Sequence, residues 1–190
     1  MSRNPVRQYN LKEYFEIEKN SDIRHEYSYG QIFAMVGASR NHSRIAGAIN
    51  TRLYMQFLQG TCETFMGDTR TRVNDNLYYY PDVVVACTPQ FQRIEGVDNL
   101  TNPILIIEVL SRTTARFDQD AKFRDYQQIE SFRYYLLVSQ YEVNAILFTR
   151  NNNNWTSQTY NELDDTIDFP TLNCTLSMRD IYFRVTFEQI

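Results

Sequence analysis

The chain has 190 residues, and this length suits one compact domain spanning residues 1–190. Its hydrophobic content of 43% is ordinary for a globular protein. The formal net charge of −4 argues against tight, sequence-independent binding to long DNA, because phosphate contacts depend on lysine and arginine. A local basic groove on an acidic domain stays compatible with this charge.

Cysteine usage and hydropathy favour a reducing, cytoplasmic location. Cys62, Cys87 and Cys174 are widely spaced and odd in number, so we expect reduced core residues and no disulfide framework. The N-terminal residues lack the apolar stretch of a signal peptide. No run of about 18 apolar residues is present, so we expect no membrane partner.

Two amphipathic helices are predicted in the first third of the chain. Residues 11–19 form the first, with Asn10 as its N-cap. Apolar residues recur every four positions from 45 to 57 and predict a longer helix, which Asn41 or Ser43 would begin.

Elsewhere the hydrophobic period is mostly two, which is typical of strands. Strands are predicted at residues 27–35 (a pair joined at Gly30), 62–66, 69–73, 78–87, 104–110, 134–139, 142–149, 155–160 and 166–169. Helical segments are predicted at residues 113–130 and 178–183, and a surface loop at residues 88–102. The strand–helix–strand order over residues 104–139 predicts a parallel crossover, and hence an α/β fold with a central mixed β-sheet flanked by helices.

Two of the predicted strands carry one carboxylate each inside an apolar run. These carboxylates are Asp82 and Glu108. A buried strand tolerates an ionised side chain only when something compensates its charge. We therefore expect the two strands to be neighbours whose carboxylates share one divalent cation, with the backbone carbonyl of Val109 as a further oxygen ligand.

A lysine on the following predicted helix completes the candidate site. Lys122 lies four positions after Asp118, so the two side chains share a helix face. A lysine that reaches into an acidic pocket orients an attacking water and offsets charge on a reacting phosphate. The expected cofactor is Mg²⁺, with Mn²⁺ as a substitute, because a hard cation activates water for phosphodiester hydrolysis.

The order of sequence blocks around these residues resembles a known family. The blocks are Tyr80-Pro81-Asp82, Asn102-Pro103, Ile107-Glu108-Val109-Leu110-Ser111 and Asp118…Lys122-Phe123…Tyr126. Residues 23–32 and 37–42 match the N-terminal part of the same family. From about residue 11 to residue 182, the chain resembles the Uma-two family, which is grouped with the endonucleases of the PD-(D/E)XK superfamily.

This resemblance implies a restriction-endonuclease-like fold and a role for each of four residues. Asp82 and Glu108 match the two metal-binding acids, and Glu26 matches an N-terminal acid that often completes such sites. The superfamily's usual lysine stands two residues after the second acid, where this chain has Leu110. The resemblance then implies that the lysine has moved to the helix, at Lys122.

Each candidate also has a structural alternative. Asp82 could cap a turn or pair with an arginine, and Glu108 could have a solvated role. Lys122 could be an exposed lysine paired with Asp118, and Glu26 could be a surface residue at a strand start.

The histidines and the strand arginines are weaker candidates. His25 and His42 are the only histidines and give little support for a zinc site or a nucleophilic triad. Arg70 and Arg72 share one strand face and could touch phosphate, but solvated positions are the better-supported interpretation.

The sequence therefore predicts a divalent-metal-dependent endonuclease that hydrolyses DNA phosphodiester bonds. A homodimer would match the two-fold symmetry of a duplex substrate. The alternative is a catalytically weak or inactive module of the same fold that binds nucleic acid or protein, which Leu110 and the acidic charge favour. A third interpretation is a hydrolase of another phosphate ester.

Overall fold

A computed structural model describes residues 7–35, 37–112 and 115–187 of the chain. The helices are α1 (Leu11–Asn20), α2 (Arg40–Phe57), α3 (Ala115–Phe117), a π-helical turn (Asp118–Lys122), α4 (Phe123–Tyr126), a 3₁₀ turn (Pro170–Leu172) and α5 (Met178–Ile181). All four predicted helical segments are thus present. The segment predicted from residue 113 is described only from residue 115, since residues 113 and 114 lie outside the described ranges.

Most of the remaining chain forms strands. They are β1 (His25–Ser28), β2 (Gln31–Ala34), β3 (Cys62–Met66), β4 (Thr71–Asn74), β5 (Leu77–Tyr79), β6 (Val83–Cys87), β7 (Phe91–Ile94), β8 (Val97–Leu100), β9 (Leu105–Leu110), β10 (Tyr134–Ser139), β11 (Ala145–Asn151), β12 (Asn154–Tyr160), β13 (Thr166–Phe169) and β14 (Cys174–Ser177). Within the described ranges they make two six-stranded sheets and one two-stranded sheet.

The central sheet has the strand order β12-β11-β10-β9-β6-β3. Strands β9 and β10 run parallel and are joined through the helical segments between them, whereas the other neighbours are antiparallel. The predicted mixed sheet flanked by helices is therefore confirmed. Strands β6 and β9 are adjacent, with Val83 opposite Ile107.

Alternation along these strands divides the core into two layers. One face of the central sheet packs on α2 and α5, through residues that include Val83, Ile107 and Val109. The opposite face packs on the helical segment after β9, through Val84 and Ile106 among others. Glu108 belongs to this second face, because alternate residues of a strand point to the same side.

A second sheet, with the order β2-β1-β5-β4-β8-β7, was not foreseen from the sequence. Helix α1 packs on it through a small aromatic core of Tyr14, Phe15, Tyr27 and Tyr78. This outer sheet brings β1, and with it Glu26, to the candidate site.

The prediction of one strand over residues 78–87 is wrong. Tyr79 ends a strand of the outer sheet, and Val83 begins a strand of the central sheet. Pro81 lies between them and cannot donate a ladder hydrogen bond, so pairing stops where the chain passes from one sheet to the other.

The predicted surface loop at residues 88–102 is also wrong, because this segment contains the hairpin β7–β8. Glu95 and Gly96 connect the two strands, and both have positive φ angles, of 49° and 83°. Two central residues with positive φ make the tight turn whose twist suits a hairpin. Glu-Gly is a less familiar turn pair than Asn-Gly, so the signal was missed.

The expectation that all cysteines are reduced is corrected by the pairing of β3 with β6. Cys62 lies directly opposite Cys87 in this register, and the two sulfurs form a disulfide. Wide spacing in sequence gave no hint of this pair, because strand register sets it. Cys174 is free and buried.

Thiol titration tests this pairing. In unreduced protein unfolded by guanidinium, we expect a thiol reagent to count one thiol, and three after reduction. The folded protein should react slowly, because burial raises the pKa of the Cys174 thiol to about 12 and leaves little thiolate. A count of three in unreduced, unfolded protein would contradict the disulfide.

Among the described residues, no helix combines the length and the apolar character needed to cross a bilayer.

Candidate metal centre

The two predicted metal-binding acids, Asp82 and Glu108, lie side by side next to the first residue of β6, where Val83 pairs with Ile107 of β9. The Asp82 backbone N–H donates a hydrogen bond to Glu108 Oε2 (3.3 Å), and the Val109 N–H donates to Asp82 Oδ2 (2.7 Å). Each carboxylate is thus fixed by the backbone of the neighbouring strand. The structure brings Asp82 and Glu108 together as adjacent strands require, while their role as metal ligands stays a prediction.

Val109 contributes to this arrangement through its N–H group. That hydrogen bond orients the Asp82 carboxylate beside Glu108. The predicted function of the Val109 carbonyl as a metal ligand stays a prediction.

Lys122 lies at the centre of a buried group of acids. Its Nζ is 2.8 Å from Glu26 Oε1, 3.2 Å from Glu108 Oε1 and 3.4 Å from Asp118 Oδ1. All four residues are buried, and Lys122 is only 6% exposed. The alternatives of an exposed Lys122 and a surface Glu26 are therefore wrong. We call Glu26, Glu108, Asp118 and Lys122 the acid cluster.

Electrostatics in the acid cluster favour the charged form of Lys122 and the protonated form of Glu108. Burial raises the pKa of Glu108 well above its ordinary value, and the neighbouring acids raise it further, while Lys122 acts to lower it. For Lys122, burial by itself favours the neutral amine, but the three carboxylates reverse this and raise its pKa well above the ordinary value. Three acids around one ammonium leave a surplus of negative charge that a further cation would offset.

Glu26 joins the outer sheet to the acid cluster. Its Oε1 forms an ion pair with Lys122 Nζ (2.8 Å) and accepts a hydrogen bond from the Tyr80 backbone N–H (3.2 Å). Tyr80 in turn donates its hydroxyl hydrogen to Glu18 Oε2 (2.5 Å). The segment that leads into Asp82 is thus held on both sides by buried carboxylates.

His42 is a site residue that sequence reasoning undervalued. Its Nε2 lies 2.9 Å from Asp82 Oδ1, and both side chains are about one-sixth exposed, at 17%. His42 is placed by the start of α2, where the Ser39 hydroxyl accepts from the His42 N–H (3.1 Å). Ser39 is therefore the N-cap, and the predicted caps Asn41 and Ser43 are wrong.

Gln140 ties this helix start to the central sheet. Its Oε1 accepts from the Ser39 hydroxyl, and its Nε2 donates to the Leu110 carbonyl (2.8 Å). Gln140 is 4% exposed, so the link is shielded from water. It fixes the position from which His42 reaches Asp82.

Arg70 is not the solvated strand arginine that the sequence favoured. It is 1% exposed, its Nε donates to Asn99 Oδ1 (2.6 Å), and its guanidinium lies 4.9 Å from the centre of the Phe15 ring. Its nearest carboxylate is Glu18, at 3.9 Å from Nη1. Arg70 therefore stabilises the outer sheet and is not accessible to a phosphate.

A cavity of about 590 Å³ opens onto the acids. It is lined by Glu26, Phe33, Ala34, Met35, Gly37, Ala38, Ser39, His42, Tyr80, Asp82, Glu108, Val109, Ser111, Phe117, Asp118, Lys122, Gln140 and Tyr141. All the predicted site residues thus face one shared space.

The donor set suits a hard cation better than zinc. Among the described residues, no three histidine, cysteine or acidic side chains are arranged to hold one metal ion. Mg²⁺ does not need such a cage, since it is usually held by one or two carboxylates and keeps several waters. Asp82 and Glu108 supply those carboxylates, and each oxygen that accepts one backbone N–H retains a second lone pair.

Comparison with solved structures supports the fold. A crystal structure described as "a putative nuclease belonging to DUF820", from Anabaena variabilis, superposes with a TM-score of 0.75 at 18% identity. The match covers 94% of this chain and 98% of that one.

Sequence comparison places the chain in a family. The uncharacterized protein slr1290 of Synechocystis sp. is 33% identical over 178 residues, which is 93% of this chain and 92% of that protein. A second uncharacterized protein of Synechocystis sp., sll1609, is 36% identical over 135 residues, covering 68% of this chain and 73% of that protein. Residues 11–179 match the Uma2 family, which carries the description "Putative restriction endonuclease". The chain belongs to the Uma2 family.

Proposed function

We propose that this protein is a divalent-metal-dependent endonuclease that hydrolyses DNA phosphodiester bonds. The observation that carries the proposal is the convergence of Asp82 and Glu108 beside Lys122 at one cavity. Buried titratable groups with shifted pKa values that line a cavity are candidates for a functional site. Membership of a family described as restriction endonucleases supports the same reaction class.

Asp82, Glu108 and the Val109 carbonyl would hold the metal ion. Bound there, Mg²⁺ would supply Lewis acidity toward the phosphate and lower the pKa of a water. The backbone hydrogen bonds to Asp82 Oδ2 and Glu108 Oε2 keep both carboxylates oriented, so little reorganisation accompanies binding.

Lys122 acts as a permanent cation in this proposal. Because its pKa is raised well above the ordinary value, it keeps its proton at neutral pH and cannot be the general base. It offsets charge on the phosphate and positions the attacking water through the carboxylates that surround its three N–H groups. Glu26 and Asp118 hold the ammonium in position.

Plasmid cleavage tests the proposal. We expect nicking or linearisation with Mg²⁺ or Mn²⁺, none with EDTA, and a loss on the order of 10²–10³-fold in Asp82→Asn. Asp68→Asn is the matched control, because Asp68 is exposed and its ion pair with Arg24 (3.2 Å) lies at the surface. Full cleavage by Asp82→Asn would remove the proposal.

A non-catalytic binding module is the second candidate, because Leu110 stands where the superfamily has its lysine. Calorimetric titration with Mg²⁺ separates the two candidates. A nuclease should give heat that disappears in Asp82→Asn, whereas a degenerate site should give none.

His42 should tune the metal affinity through Asp82. We expect His42→Ala to weaken Mn²⁺ binding by roughly 10–100-fold, the usual effect of losing a side chain that orients a metal ligand. Calorimetry with Mn²⁺ measures this, and His25→Ala serves as the control because His25 contacts Glu18 instead. Unchanged affinity in His42→Ala would show that the contact with Asp82 is dispensable.

A further inference from the structure

The wall of the cavity is aromatic, whereas its inner end is acidic. Phe33 and Tyr141 line it while remaining 42% and 45% exposed. Phe117 lies against Phe33, with ring centres 6.0 Å apart. Single exposed aromatic side chains are common on protein surfaces, but three around one cavity that leads to charged groups mark a binding surface for a flat, apolar ligand.

The size of the cavity limits what enters it. Its volume of about 590 Å³ lies within the roughly 300–1,000 Å³ that pockets for small molecules occupy. A base that is paired and stacked inside a duplex cannot enter such a pocket without being extruded, whereas an unpaired base enters freely. The confined shape therefore favours a single nucleotide over a broad length of duplex.

A few exposed arginines near the cavity could contact phosphate groups locally. Arg40, Arg112 and Arg116 are exposed, and each is adjacent in sequence to a residue that lines the cavity. The Arg112 guanidinium lies 5.2 Å from the centre of the Tyr141 ring. Proteins that bind single strands combine local basic groups with aromatic rings on which bases stack. A net charge of −4 suits this short contact better than a long duplex interface.

We propose that the cavity receives an unpaired nucleotide of a DNA strand, whose base stacks on Phe33 and Tyr141 while its phosphate faces Asp82 and Glu108. This rests on the proposed nuclease function and adds the substrate class, namely single-stranded or locally unpaired DNA. Arg112 supports the stack from the side of Tyr141 and contacts the flanking phosphate.

A fluorescent base tests the proposal. Full-length protein is titrated into a DNA oligonucleotide that carries one 2-aminopurine, with Ca²⁺ in place of Mg²⁺ and a gel to confirm that the strand stays intact. We expect stacking to quench the fluorescence, and the single strand to bind at least about tenfold more tightly than a blunt duplex of the same sequence.

Variants separate stacking from general affinity. Phe33→Ala and Tyr141→Ala should each weaken single-strand binding by roughly 5- to 100-fold and reduce the quench. Tyr54→Ala is the control, because Tyr54 is 56% exposed on α2 and lies about 18 Å along that helix from His42. Circular dichroism checks that each variant is folded.

The outcomes distinguish this proposal from the one on which it rests. Equal or tighter duplex binding, or wild-type binding by both cavity variants, would overturn the unpaired-nucleotide site. Tighter binding of RNA of the same sequence would overturn the assignment to DNA. If single-strand binding depends on Phe33 and Tyr141 but Mg²⁺ supports no cleavage of any strand, the site stands and the nuclease function fails.

Discussion

Replacing Lys122 with methionine is expected to destabilise the metal-free protein and to abolish cleavage. Methionine fills the space of the lysine stem but leaves Glu26, Glu108 and Asp118 without their shared cation. Removing one partner of a buried ion pair costs about 3–5 kcal/mol. For a chain of 190 residues, this corresponds to a fall in Tm of roughly 6–20 °C.

The sign of the pH effect follows from the raised pKa of Glu108. A carboxyl whose folded pKa exceeds its ordinary value of 4.5 stabilises the protein while protonated, and this contribution is lost as pH rises through the folded pKa. Lys122 lowers the pKa of Glu108, so without Lys122 this carboxyl binds its proton more tightly still. The loss of Tm in Lys122→Met should therefore be smallest near pH 5 and largest near pH 8.

Divalent cations provide the decisive readout for this variant. Mn²⁺ would replace the missing positive charge and restore part of the Tm, because a ligand that binds only the folded state stabilises it. Calorimetric melting with and without Mn²⁺ measures this, and Lys12→Met is the control because Lys12 is exposed. A Tm equal to that of the wild type at pH 8 would show that the acid cluster does not need Lys122.

The pairing of Asp82 with Glu108 was predictable because it depends on local rules. A lone carboxylate in an apolar strand needs a partner, and two such strands in sequence are often neighbours. The same kind of local rule placed Lys122 on the following helix, on the same helical face as Asp118. Glu108 follows Asp82 by 26 residues and Lys122 follows Glu108 by 14, so the patterns of two strands and one helix carried most of the information.

His42 and Glu26 became part of the site through contacts that no local pattern encodes. His42 reaches Asp82 across 40 positions, and its placement depends on the Ser39 cap and on Gln140, which lies 101 positions from Ser39. Glu26 arrives with the outer sheet, whose strands come from separated stretches of the chain. The family resemblance supplied Glu26, but physical reasoning from the sequence did not.

The errors in the fold have the same origin. Residues 78–87 resemble one mostly apolar strand, and Pro81 marks a break in it, but the pattern does not show that the chain passes to another sheet there. Burial of Arg70 depends on aromatic rings from α1 and β5 that surround it. Both features are set by how the two sheets pack, which hydrophobic periodicity does not describe.

Glu108→Gln is expected to abolish most of the cleavage activity with little loss of stability, whereas Lys122→Met should lose both. Glutamine keeps the shape of the side chain and an oxygen that accepts from Lys122 and Tyr126, but its amide nitrogen cannot accept from the Asp82 N–H as Glu108 Oε2 does (3.3 Å). It also removes a carboxylate whose charged form burial disfavours. Lys122 retains Glu26 and Asp118 as partners. The Tm should therefore stay within a few degrees of the wild type or rise, whereas cleavage should fall on the order of 10³-fold.

This separation of stability from activity is what a functional acid requires. If Glu108 served only to stabilise the fold, replacing it with a neutral residue would lower the Tm. If it serves to bind a metal ion, its buried charge destabilises the protein, and replacing it should not lower the Tm. Thermal melting, Mn²⁺ calorimetry and plasmid cleavage on the same Glu108→Gln preparation decide between the two. A lower Tm together with unchanged Mn²⁺ affinity would show that Glu108 is a structural residue. The metal ion would then have to be bound by Asp82 without Glu108.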